Sequence, residues 1–132
     1  MKSKLIFIFL VLSLNNSLYS REIGQTEITA ENGVEVFQDE KYYLIKQNVK
    51  IVSDDFTLNA DEVKIFFRDD LYDIKIINAF GNVILISETN LIKAEGDELL
   101  FYLDDEKLNI LGNNSIFSNE DIIIKSNGKI II

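Results

Sequence analysis

Residues 47–67 read QNVKIVSDDFTLNADEVKIFF, and the fold class follows from how they alternate. Val49, Ile51 and Ser53 are separated by Lys50 and Val52. Phe56, Leu58 and Ala60 are separated by Thr57 and Asn59, and Val63, Ile65 and Phe67 by Lys64 and Phe66. A period of two in β-branched and aromatic residues defines half-buried strands, because successive side chains of a strand leave by opposite faces. The same pattern continues at Leu108-Asn109-Ile110. Asn32-Gly33, Asp54-Asp55, Asp69-Asp70, Gly81-Asn82, Asp104-Asp105, Gly112-Asn113 and Asn127-Gly128 punctuate the chain with residues suited to tight turns. The spacing predicts an antiparallel, all-β chain of short strands, about five to seven residues each. Glu95–Leu103, the one helix-like stretch, is read as a Gly bulge followed by a strand.

Working outward, the segment repeats. Gln47-Asn48-Val49-Lys50-Ile51 returns as Gly81-Asn82-Val83-Ile84-Leu85, and more weakly at Gly112-Asn113. Ala60 lies 12 residues after Asn48, and Ala94 lies 12 after Asn82. Ala30 and Ser126 hold the equivalent place in partial copies. Such a period implies one small strand unit stacked on its neighbours. A small residue at a fixed register marks a corner where two sheet segments approach closely.

The whole chain has 132 residues, a net charge of −9, and no Cys, His, Pro or Trp. Without Cys or His there is no thiol nucleophile, no Ser-His-Asp triad and no zinc site of the usual kind. No catalytic residues, metal or cofactor are expected. The excess of 22 acids over 13 bases argues against nucleic acid, since neutralising phosphates needs clustered Lys and Arg. Residues 1–20, MKSKLIFIFLVLSLNNSLYS, have the order of a secretory signal peptide: Lys2 and Lys4, an apolar run from Leu5 to Leu14, then a short polar tail ending in Ser20. Cleavage after Ser20 is expected, leaving residues 21–132 as one domain with 22 acids against 11 bases, a net charge of −11. Retention of residues 5–14 as a short anchor is the alternative.

The repeats resemble the LptA/OstA-like family of lipopolysaccharide-transport domains. The resemblance is carried by Gln47–Ile51, Phe56–Val63, Ala79-Phe80-Gly81-Asn82-Val83, Lys93–Glu98 and Leu108–Asn113, and it covers about residues 26–132. It implies an antiparallel β-jellyroll open at one edge and at both ends. It also implies a periplasmic bridge between inner and outer membrane that holds lipid A acyl chains in an apolar groove and leaves the sugars outside. The implied partners are lipopolysaccharide, LptC-like and LptD-like proteins, and further copies of the chain stacked head to tail. An LptC-like component kept at the inner membrane stands as an alternative.

The residues themselves leave two readings of the apolar face open. Val49, Ile51, Phe56, Leu58, Val63, Ile65, Phe67, Val83, Leu85, Phe101, Leu108 and Ile110 line either an acyl-chain groove or the packed core of a structural β-repeat protein that binds no lipid. The acidic pairs at turns are read as solvated loop tips. With no basic cluster, the sequence predicts that any lipid is held by its chains and not by its phosphates. Ile130-Ile131-Ile132 is a β-prone terminus without a protective charge or Pro, suited to strand pairing with another chain or prone to aggregation.

Overall fold

The computed structural model describes residues 21–132. The export segment, its cleavage after Ser20 and the alternative anchor lie outside the described residues. Ten strands follow one another: β1 (Glu27–Thr29), β2 (Val34–Phe37), β3 (Tyr42–Val52), β4 (Thr57–Phe67), β5 (Ile74–Ser87), β6 (Ile92–Tyr102), β7 (Lys107–Leu111), β8 (Ser115–Ser118), β9 (Ile123–Ser126) and β10 (Lys129–Ile131). All pairings are antiparallel and belong to one hydrogen-bonded sheet.

Four strands are longer than the alternation suggested, with 11, 11, 14 and 11 residues in β3 to β6. Gln47-Asn48 and Gly81-Asn82 do not end strands. They bend them. Gln47, Asn48, Gly81 and Asn82 have φ of 65°, 48°, 81° and 48°, so each pair turns the chain in the left-handed region and the ladder resumes beyond it. The registers of β3 on β4, β4 on β5 and β5 on β6 all shift at these places. The expected bulge at Gly96 falls instead on the neighbouring strand: two residues between Phe80 and Val83, Gly81 and Asn82, face one, Asp97, between Glu98 and Gly96. The sequence period of about 34 residues is therefore one hairpin, a bent strand out and a bent strand back.

The two outer long strands, β3 and β6, change partner at the bend, while β4 and β5 keep theirs. β3 pairs β2 over Tyr42–Ile45 and β1 over Lys50–Val52. β6 pairs β7 over Glu98–Tyr102 and β8 over Lys93–Glu95. Two arms result. The first contains β2, β7, β10 and the adjoining halves of β3 to β6. The second contains β1, β8, β9 and the other halves. The inward residues of both arms form a single apolar core.

The corner line is built from acids and Asn. Glu31 accepts from the Asn48 side chain, Asp61 from Asn82 Nδ2 at 3.1 Å, and Asp97 from the Asn113 amide at 3.3 Å. Asp61 and Asp97 lie over Gly81 and Gly112, where a Cβ would collide with the carboxyl. Glu31 and Asp61 hold the side chains of the bend residues, and Asp97 accepts from a backbone amide. Of the small residues expected at the corner, Ala60 stands at the bend, opposite Val49, whereas Ala94 lies one inward position away, opposite Leu85; both are buried. The place at the bend of β6 belongs to Gly96, where a Cβ would meet Ile110 Cγ2 at 2.6 Å.

Candidate functional site: the interior between the arms

The register sets the inward residues in rows. Next to the corner line stand Ile45, Val63, Ala79, Leu99 and Ile110 in the first arm, and Val49, Ala60 and Val83 in the second. One inward position further out come Ile65, Ile77 and Leu108 in the first arm, and Ile51, Leu58, Leu85 and Ala94 in the second. Phe56 and Leu103 pack at the margin of this core. Small and large side chains stand side by side within a row, which fills the gap at crystal-like density without overlap.

Ten of the twelve residues expected to line the site are buried: Val49, Ile51, Leu58, Val63, Ile65, Phe67, Val83, Leu85, Leu108 and Ile110, with the most exposed at 7%. Phe56 and Phe101 are half-buried and pack on the same core. The structure therefore brings eleven of the twelve to one interior, contributed by both arms, while Phe67 is buried against Tyr43 beside it. Their side chains pack on one another.

The margins of the two arms meet differently from the corner. Phe56, just before β4 in the second arm, contacts Phe101 of β6 in the first arm, with ring centroids 5.9 Å apart and planes at 88°. No strand pairing links these two places: Phe101 pairs with Ile77 and Leu108, both of the first arm. Tyr43 and Phe67 form a second ring pair, at 5.9 Å, within the first arm. Burial pushes the Tyr43 hydroxyl up to about 12, and it donates to the Leu71 carbonyl at 3.3 Å.

The acidic pairs stand on turns, as expected: Asp54-Asp55 between β3 and β4, Asp69-Asp70 between β4 and β5, Asp104-Asp105 between β6 and β7. Both arginines of the described residues are held by these acids. Arg21 donates to Asp54 at 2.5 Å, and Arg68 pairs with Asp73 at 2.8 Å and with Asp104. The hydrogen bonds from Arg21 and from the Gly24 amide hold the Asp54 carboxyl below its usual range. The arginines at the margin are thus already engaged by carboxylates.

Two features escaped the sequence reading. One is the acid-Asn corner pairs. Their signal was the acid that follows each small residue, which looks like ordinary turn chemistry in one dimension. The other is an aromatic row on the outer face of the first arm. Phe37 faces Tyr42, Tyr42 faces Phe66, Phe66 faces Ile76 and Ile76 faces Tyr102 on successive strands. Phe37 stacks on Tyr42 at 4.8 Å, and Lys64 Nζ lies 5.2 Å from the Tyr42 ring centre. The doublets Tyr42-Tyr43 and Phe66-Phe67 could have revealed it, since two adjacent aromatics in a strand face opposite sides.

At the C-terminal end of the sheet, Ile130 is not on the surface: it faces Ile110 across the ladder and is buried. Ile131 and Ile132 are exposed at 58% and 47%. Ile122, Ile123 and Ile124 are exposed beside them, on and next to β9. The last strands of both arms therefore present isoleucine at one end of the sheet.

An all-β jellyroll whose arms enclose an apolar interior, paired along the corner and unpaired along the outer margin, is the class of protein that these features define. The chain belongs to the LptA/(LptD N-terminal domain) LPS transport protein family, whose profile matches residues 24–131. Among solved structures it is similar to LptH of Pseudomonas aeruginosa, the LptA-homologous periplasmic component of that organism's lipopolysaccharide transport device. The two superpose with a TM-score of 0.69 over 81% of this chain and 74% of that one, at 11% identity. At that identity the likeness establishes the fold. No curated protein matches the sequence.

Proposed function

We propose that this protein is a non-enzymatic carrier that moves lipopolysaccharide through the periplasm with lipid A acyl chains between its two arms. The observation that carries this reading is the single apolar interior shared by both arms, whose outer margins no strand pairing joins. Magnitude supports it. Each buried methylene contributes about 0.8 kcal/mol, so one acyl chain of about a dozen carbons supplies on the order of 10 kcal/mol. A small domain is stable by about 5–15 kcal/mol in total. One chain can therefore offset the parting of the arms, while the corner ladder keeps the sheet in one piece.

The head group is left to solvent. At −11 over residues 21–132, with both arginines in ion pairs, the chain offers no phosphate clamp. Partners follow from the ends of the sheet. β1 and β2 at one end and β9 and β10 at the other suit strand pairing with further copies, and with LptC-like and LptD-like modules that present the same kind of edge. An inner-membrane LptC-like component is the second reading within the family. It predicts a purified chain that still begins at Met1, whereas a released carrier begins near Arg21. A structural β-repeat protein is the reading outside the family's function.

The protein purified from cells and analysed by native mass spectrometry is expected to carry lipopolysaccharide. Binding is expected to persist from low to high salt. Protein without lipid from lipopolysaccharide-producing cells would support the structural reading. Loss of binding at high salt would place the affinity in the phosphates, because screening weakens exposed charge pairs and leaves apolar burial intact.

A further inference from the structure

We infer that Phe56 and Phe101 form a latch across the outer margin of the two arms, and that its opening sets the rate at which acyl chains enter. This inference rests on the carrier function proposed above and names the residues that control it.

Three observations lead to it. The first is that the interior behind the pair is full: Ile51, Leu58, Ile65 and Leu99 are at most 1% exposed. A chain can enter only after the arms part. The second is that Phe56 and Phe101 belong to different arms and touch ring edge to ring face, without any ladder between them. Parting the arms must break this contact, and no backbone hydrogen bond is lost with it.

The third is an asymmetry between the two rings. Phe101 sits within β6, with a paired strand on either side. Phe56 stands on the turn from β3 to β4, closed by the Ser53 amide donating to the Phe56 carbonyl at 2.9 Å. Ser53 Oγ accepts from the Asp55 and Phe56 amides, both at 3.3 Å. Asp54 ties that turn to the segment before β1, through Arg21 at 2.5 Å and the Gly24 amide at 2.8 Å. Phe56 is the moving member, and Asp54 is its tether. Strand-borne Phe101 is the fixed post.

The test is the rate of uptake of fluorescently labelled lipopolysaccharide by the purified protein, followed by stopped flow. An aromatic pair of this geometry gives the closed state an advantage that corresponds to roughly a 2- to 10-fold change in population. Phe56→Ala is expected to load faster by about that factor. Asp54→Asn leaves both rings in place and loosens the turn, and it is expected to load faster by a smaller factor. The 132 residues contain no Cys, so a Phe56→Cys/Phe101→Cys protein can be joined by a short bifunctional thiol reagent. The joined protein is expected to stop loading, and the untreated double variant to load freely. Phe56→Ala loading at the wild-type rate or slower, or the joined protein loading normally, would overturn the latch. If the wild-type protein takes up no lipid at all, the carrier function itself fails, and the two failures are told apart.

Discussion

Leu91 occupies the left-handed region, with φ of 55°, in the turn between β5 and β6. A side chain with a Cβ is costly there by about 1–2 kcal/mol, and Gly removes the clash. Leu91 is half exposed, so little packing is lost with it. Leu91→Gly is expected to raise stability by roughly 1 kcal/mol, seen as a rise of several degrees in the thermal midpoint. Gly81→Ala is expected to act oppositely and more strongly, since φ is +81° and the Asp61 carboxyl lies where the Cβ would go. Gly81-Asn82 could be recognised from its residue types. The strain at Leu91 could not, because nothing in a leucine codes for positive φ and only the neighbouring ladders impose it. Tyr43 gives a pH signature. Its neutral form is favoured in the folded protein, so the unfolded chain releases that proton near pH 10 and the folded one near pH 12. The stability that Tyr43 contributes is complete below pH 10 and is lost as pH rises towards 12. Denaturant titrations at pH 9 and pH 11.5 should show the fall, and Tyr43→Phe should remove this part of it.

At the scale of the element, the bent strand decides the architecture. Alternation was visible in the sequence because one face is apolar throughout. Strand length was not, because Gln47-Asn48 and Gly81-Asn82 look like strand ends. The difference lies in the neighbouring segments: Glu31 and Asp61 hold the Asn48 and Asn82 side chains at the bends, and the ladder resumes beyond them on the same neighbouring strands. The fixed offset of Ala60 and Ala94 marked the corner only in part, since Ala60 stands at the bend, opposite Val49, and Ala94 one inward position away, opposite Leu85. Ala94 is fully buried. Ala94→Leu is expected to overfill the interior there and cost about 1–3 kcal/mol or more. The same substitution at half-buried Ala30, at the end of the corner line, should cost less. Chemical denaturation of the two variants checks the ranking.

At the scale of the molecule, acids crowd the turns and the corner line, while the end of the sheet carries Ile122, Ile123, Ile131 and Ile132 on its surface among the exposed charges of Glu120, Asp121, Lys125 and Lys129. The triple isoleucine at 130–132 had marked this end in the sequence, but Ile130 turned out to be core and Ile123 the more exposed residue, because alternation sends neighbours to opposite faces. Ile123→Lys is expected to weaken self-association without changing the fold, seen as a shift towards the monomer in sedimentation velocity, whereas Ile130→Lys should unfold the edge. The interior was legible as a set of apolar positions, eleven of which share the core. Whether those positions hold lipid was not, since a packed core and a lipid channel call for the same residues. Photo-crosslinking in living cells answers that directly, with benzoylphenylalanine at Phe101 and Leu58 in the interior and at Tyr72, which is 90% exposed, as the control. The carrier account predicts lipopolysaccharide adducts at Phe101 and Leu58 and none at Tyr72. Folded protein with no lipid adduct at either interior position, or with equal labelling at Tyr72, would contradict it.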